Sequence, residues 1–94
     1  MNKSDNATAS VEVSQTRDRL ADLMAAIVKE MTSSEEISVT YSAGDKTTVY
    51  NIHLPPQFRG KLIGSQGRTI LALRNILSAM AGNHGFRAII ELVV

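Results

Sequence analysis

The chain has 94 residues, with ten Lys and Arg against nine Asp and Glu, and 44% of it is hydrophobic although only four residues are aromatic. That suffices for one small domain with an aliphatic core and is too little for two independent cores. The absence of cysteine excludes disulfide frameworks, thiolate nucleophiles and Cys-ligated zinc. His53 and His84 stand far apart without a paired acid nearby, so neither a metal nor another cofactor is expected.

Residues 1–15 are polar, rich in Asn, Ser, Thr and Ala and without helical periodicity, which reads as a disordered tail ahead of a domain over residues 16–94. No apolar run occurs before Ser14, so neither a signal peptide nor a membrane anchor is expected, and the expected location is cytoplasmic with no membrane partner. From Thr16 to Met31, Leu20, Leu23, Met24, Ile27, Val28 and Met31 keep the spacing of an amphipathic helix. Thr32-Ser33-Ser34 ends it. Ile37, Val39 and Tyr41 then alternate with Ser38, Thr40 and Ser42, the period of a half-buried strand. Ala43-Gly44-Asp45-Lys46 has the composition of a hairpin turn, and Tyr50, Ile52 and Leu54 continue as the inward face of a second strand.

Pro55-Pro56 stops that strand and suits the first turn of a short helix. Beyond it, apolar residues at helical spacing run from Phe58, Leu62 and Ile63 to Ile70, Leu73, Leu77 and Met80, but Gly64 and Gly67 lie in between. Two glycines cost a continuous helix roughly 2 kcal/mol relative to alanine. The spacing therefore predicts a break: one helix ends at Gly64, a tight turn passes through Ser65 and Gln66, and a second helix runs from Arg68 to Ala81. Gly82-Asn83-His84-Gly85 reads as a loop with two glycines at positive φ, and Phe86, Ala88, Ile90 and Leu92 as the inward face of a last strand. The order is that of an α+β fold: helix, strand, strand, helix, helix, strand.

Gly-x-x-Gly between helices can be no more than a C-cap and a turn. Its surroundings suggest more. Such a turn offers bare backbone N–H groups at a positive helix N-terminus, and glycine admits another backbone closely. Lys61 and Arg68 flank it, Ile63 and Ile70 bracket it, and Arg59 and Arg74 are near. Charge is partitioned accordingly. Residues 1–45 hold eight acids and four bases, whereas residues 46–94 hold six bases and Glu91 as their one acid. A basic half centred on a glycine turn suits a polyanion.

Ile63-Gly64-Ser65-Gln66-Gly67-Arg68-Thr69-Ile70 resembles the signature of KH domains, whose GXXG loop clamps about four nucleotides of a single strand. The element order resembles the bacterial type II KH arrangement, α-β-β-α-α-β. Residues from about 17 to 94 are similar to the small bacterial single-KH-domain proteins of the KhpA family, most specifically over Gly60 to Thr69, and also over Leu54-Pro55-Pro56-Gln57-Phe58 and Ala88 to Val93. The family often has lysine where Ser65 stands, and the tail before Ser14 is longer here.

The resemblance implies a three-stranded sheet packed on one face by three helices, and an RNA site built from Lys61, Ile63, Gly64, Ser65, Gln66, Gly67, Arg68 and Ile70 with Arg59 and Arg74 beside them. Backbone N–H groups of the turn would meet the phosphodiester, Lys61 and Arg68 would neutralise phosphates, and Ile63 and Ile70 would floor a groove. Arg87 and His84 could widen its basic rim. With no aromatic residue in the turn, base stacking is not expected to dominate.

At about 100° per residue the apolar positions of the last helix cover an arc of roughly 200°, well over what packing on one sheet requires. Either the helix is wedged between the sheet and the first helix, or Leu71, Ala72, Ile76 and Ala79 form an interface. The family resemblance implies a homodimer and pairing with a larger KH-containing bacterial protein. Two functional classes follow: an RNA-binding regulator or RNA chaperone, and a KH-fold protein–protein adaptor with weak or no RNA binding. An enzyme is not expected, since no Gly-x-x-x-x-Gly-Lys-Ser/Thr phosphate loop and no Ser–His–acid set is present.

Overall fold

No glycine or proline precedes Gly44. In the computed structural model, which describes residues 3–93, a single helix α1 accordingly spans Lys3–Thr32. Periodicity predicts this helix only from residue 16. Residues 3–15 are helical too, because nothing in that segment stops a helix from propagating out of the packed portion. Residues 1 and 2 of the expected tail lie outside the described residues. Val11, Glu12, Ser14 and Gln15 are exposed, and Thr16 is the first buried side chain described. Deleting residues 1–11 is therefore expected to change the unfolding free energy by less than about 0.5 kcal/mol. Urea denaturation measures this, and a clearly lower midpoint would mean that the segment docks.

From Thr16 onward α1 packs by one stripe. Leu20, Ala21, Met24 and Val28 are buried, with Ile27 and Met31 partly so, whereas Leu23 falls at the stripe's edge and stays 42% exposed. Polar ties fix the helix on the sheet. The Arg17 Nε–H donates to Thr48 Oγ1 (2.9 Å), the Tyr50 hydroxyl donates to the Arg17 carbonyl (3.1 Å), and the Tyr41 hydroxyl donates to Asp18 (2.6 Å). The Arg17 guanidinium also lies 5.1 Å from the Phe86 ring centroid, a cation–π contact. The helix ends where Ser33 takes a positive φ of 57°.

β1 (Ser38–Ala43) and β2 (Thr47–His53) form the expected antiparallel hairpin, closed by the Gly44 N–H on the Thr47 carbonyl (2.9 Å). Their inward faces pair Val39 with Ile52 and Tyr41 with Tyr50, whose rings lie 5.6 Å apart. Pro56–Phe58 is a 3₁₀ turn leading into α2 (Arg59–Ile63), and α3 (Arg68–Asn83) follows the glycine turn. Helix α3 thus runs two residues past the expected Ala81, and of the loop glycines only Gly85 takes positive φ. β3 (Arg87–Val93) pairs parallel with β2, so the sheet order is β1-β2-β3. Parallel neighbours need a crossover, and α2, the glycine turn and α3 are that crossover. The three helices cover one face of the sheet, with Tyr50, Ile52, Ala88 and Ile90 meeting Leu62, Ile70, Leu73, Leu77 and Ala81.

The Tyr50 phenol is pushed up from 10.0 to about 12, chiefly by burial, with the neighbouring Tyr41 adding to the shift. The folded chain therefore keeps a proton that the unfolded chain releases near pH 10. Stability should be level below pH 10 and fall as pH rises towards 12. Tyr50→Phe should flatten that alkaline fall, measured as urea midpoint against pH; an unchanged profile would assign it elsewhere.

Candidate nucleic-acid interface

The two glycines shape the turn by different means. Gly64 closes α2, its N–H on the Gly60 carbonyl at 2.9 Å, and adopts φ 79°, ψ 176°. A Cβ there would collide with Thr69 Oγ1 and lie 2.7 Å from Thr69 Cβ and 3.1 Å from its backbone nitrogen. Both the backbone conformation and the close approach of α3 thus require glycine. Gly67 caps α3 in the left-handed region (φ 73°), with open space where a Cβ would stand. Between them Gln66 is also left-handed at φ 55°, an uncommon state for a residue other than Gly, Asn or Asp. The Arg68 guanidinium donates to Gln66 Oε1 at 2.9 Å and steadies it.

Not every N–H of the turn is free. Those of Gly67 and Arg68 donate to the Gly64 and Ser65 carbonyls. Among the described residues the N–H groups of Ser65 and Gln66 take no backbone acceptor, and both side chains are exposed. Behind them begins α3, with no side-chain cap on its N-terminus and no acid in its first turn. Two adjacent donors ahead of the positive end of a 16-residue helix make a corner of the kind that suits an anion.

That corner adjoins a groove of about 410 Å³ lined by Arg59, Ile63, Ile70, Arg74, Ile90, Glu91 and Leu92. Arg59, Ile63, Ile70 and Arg74 are thereby brought together as the sequence suggests. Ile70 is buried and Ile63 half-buried, so both serve core and groove floor. Lys61, Ser65, Gln66 and Arg68 are exposed and do not line the groove. In sequence each lies within three residues of the lining Ile63 or Ile70. His84 is not part of this site: it follows the far end of α3, about 24 Å from Arg68 at 1.5 Å per residue.

The groove's far wall is β3, and its place in the sheet does not follow from the sequence. β3 is an edge strand. Its Arg87 N–H bonds to the Lys46 carbonyl and its Val93 carbonyl accepts from the Leu54 N–H. Odd-numbered residues of β3 therefore turn their backbone groups towards β2, and Ala88, Ile90 and Leu92 turn theirs to the free edge. Alternation alone reveals a strand but not that it lies at an edge.

Helix α3 also separates residues that the sequence groups together. Only Ile70, Leu73, Leu77 and Ala81 are buried, while Leu71 is 55% and Ile76 52% exposed, and Ala72 and Ala79 are exposed too. The helix is thus not wedged between sheet and α1. Leu71 and Ile76 lie about 140° apart around it. Leu71 lines a groove section beside β3, whereas Ala72, Ile76 and Ala79 form a separate strip.

A family model described as KhpA/KhpB, KH domain, matches residues 17–92. The chain belongs to that KH domain family. It is 36% identical over 75 residues to the RNA-binding protein KhpA of Aquifex aeolicus, which covers 79% of this chain and 95% of the relative. Similarity to the proteins of the same name from Chlamydia caviae (29%) and Clostridium acetobutylicum (27%) also covers 79% of this chain, and 96% and 100% of those relatives. No solved structure matches significantly. The family is one of KH domains and not of enzymes. Among the described residues no helix is long and apolar enough to cross a membrane.

Proposed function

We propose that this KH domain binds single-stranded RNA, clamping about four nucleotides between the Gly64–Gly67 turn and the free edge of β3, and acts on transcripts as a regulator or RNA chaperone in the cytoplasm. The observation that carries this reading is the pair of unengaged N–H groups at Ser65 and Gln66, set ahead of the uncapped N-terminus of α3 beside a groove lined by Arg59 and Arg74. Phosphate meets those donors, with Lys61 and Arg68 supplying charge. Arg68 leaves Gln66 or bridges it to the phosphate. Bases enter the groove over Ile63 and Ile70, where the free N–H and C=O groups of Ile90 and Leu92 meet their edges. The unit that does this is residues 16–94, with the segment before it outside the binding surface. The relatives from Aquifex aeolicus and Clostridium acetobutylicum, named as RNA-binding proteins, support the same chemistry.

Filter binding to a random single-stranded RNA pool tests the reading directly, and failure to retain RNA at low salt would overturn it. If about three phosphates are neutralised, log K should fall with log salt at a slope of about −2. Ser65→Lys, which adds a charge at the corner, should steepen that slope by about 0.7. A flat dependence would remove the phosphate clamp.

A second reading concerns partners and is favoured by the exposed strip Ala72–Ile76–Ala79 on α3. A second copy of the chain covers it in a homodimer, and the same strip serves for pairing with a larger KH-containing bacterial protein.

A further inference from the structure

We propose that the end of the domain away from the glycine turn holds a second anion site, a cleft between α1, the β1–β2 turn and the start of β3 that takes the phosphomonoester of a nucleotide on Arg17, Lys46 and Arg87. It shares no lining residue with the groove beside the glycine turn, and the proposal is independent of the RNA clamp.

The cleft, of about 440 Å³, is lined by Arg17 of α1, by Asp45 and Lys46 of the hairpin turn, and by Phe86 and Arg87, with Gly82 and Gly85 between. Gly82 lies fourteen residues along α3 from Arg68, about 21 Å at 1.5 Å per residue. Long-range contacts bring the three cations together. The Arg87 N–H donates to the Lys46 carbonyl at 3.2 Å. Thr48, which accepts from the Arg17 Nε–H, pairs in register with Ala88, and the Arg17 guanidinium rests 5.1 Å from the ring centroid of Phe86.

Arg17 points to a ligand. It is half-buried, and among the described residues the Nε–H is its one engaged donor, on a neutral hydroxyl, with no carboxylate paired to it. A guanidinium carries five N–H donors in a planar fork, so those on its two terminal nitrogens remain available. Drawing a cation partly out of water without a counter-charge is unfavourable, and an anion in the cleft offsets that cost. Thr48 and Phe86 hold the fork in place beforehand, which limits the entropy lost on binding.

Charge and size select the ligand class. The lining carries three cations against Asp45 as its one acid, a net charge of +2. A phosphomonoester carries close to two negative charges at neutral pH, whereas a diester carries one. The guanidinium forks match phosphate oxygens in pairs, and Lys46 adds a point charge. The cleft is of the size that small ligands occupy, more than a bare phosphate needs, and Phe86 with Val13 offers apolar contact to a sugar or base.

An amide NMR titration of the full chain with AMP tests this, with adenosine as the neutral control. AMP should shift the signals of Gly82, Gly85 and Phe86 saturably, with a dissociation constant below about 1 mM, and adenosine should not. Lys46→Gln and Arg87→Gln, both at exposed positions, should each weaken AMP by about tenfold, the loss expected for a hydrogen bond between charged groups. Asp45→Asn should tighten it. A tetranucleotide pool with a 5′-phosphate, compared with the same pool ending in a 5′-hydroxyl, separates the two sources of a phosphomonoester. Shifts at the same three signals from the phosphorylated pool alone make an RNA end the ligand, and AMP binding without them makes it a free nucleotide. No saturable shift at millimolar AMP, equal shifts with adenosine, shifts confined to Ser65 and Gln66, or variants that bind as wild type does would each overturn the site. None of these results alters filter binding of RNA, so the site can fail while the RNA-binding reading stands.

Discussion

The double substitution Ser65→Asp with Gln66→Asp is expected to weaken RNA binding by at least about 30-fold while leaving the helical content unchanged. Both side chains are exposed, and both N–H groups are the free donors of the turn. A carboxylate beside each donor faces the incoming phosphate. At about 4 Å two like charges repel by about 1 kcal/mol even in bulk water, so two carboxylates give about 2 kcal/mol, which is about 30-fold in affinity. The lost phosphate contact adds to this. Aspartate tolerates the left-handed conformation at position 66, so the turn should survive. Substituting the glycines instead would confuse the result, since any Cβ at Gly64 collides with Thr69. Ser65→Asn with Gln66→Asn is the neutral control and should stay within a few-fold of wild type. Equal loss in both variants would mean that the Arg68–Gln66 hydrogen bond matters rather than charge. Affinity retained in the aspartate pair would end the clamp mechanism.

How much of this site could be read from the chain depends on whether a property is local. Gly64 and Gly67 break a helical pattern that is otherwise intact, so the helix–turn–helix and its flanking Lys61 and Arg68 follow from spacing and from the conformational freedom of glycine. Arg59, Ile63, Ile70 and Arg74 follow as well, because positions three and four apart share a helix face. The β3 wall does not follow. Whether Ala88, Ile90 and Leu92 point their backbone groups at a neighbour or at open space depends on strand order, which pairs segments some forty residues apart in sequence, such as Thr47 and Arg87. The start of α1 is a third kind of case. Residues 3–15 carry no apolar stripe, and their helix is carried outward from the packed segment rather than specified by their own pattern. Apolar residues mislead when the face they occupy is free. Leu23 fits the periodicity of α1 and still lies 42% exposed, because the buried stripe is narrower than the apolar one.

The same excess of apolar surface on α3 leads to the other large expected effect. Wild type should sediment as a dimer at micromolar concentration, and Ile76→Glu should raise the dimer dissociation constant by at least about 100-fold, which is about 2.7 kcal/mol. Ile76 is 52% exposed and flanked on its strip by exposed Ala72 and Ala79, so a charge there leaves the core of the single chain undisturbed. In a two-fold interface the strip meets its own copy, and the substitution enters twice. A carboxylate taken out of water without a partner costs several kcal/mol in practice, more than a short helix strip can offset. Small residues at positions 72 and 79 let a second helix approach closely on either side of Ile76. Leu71→Glu separates the two faces of α3. It lies about 140° from Ile76 and lines the groove, so it should lower RNA affinity and leave the sedimentation mass unchanged. Wild type that stays monomeric at high micromolar concentration would remove the homodimer. If Leu71→Glu dissociates the dimer and Ile76→Glu does not, the interface is the β3 side of the helix, and RNA and the second copy compete for one groove.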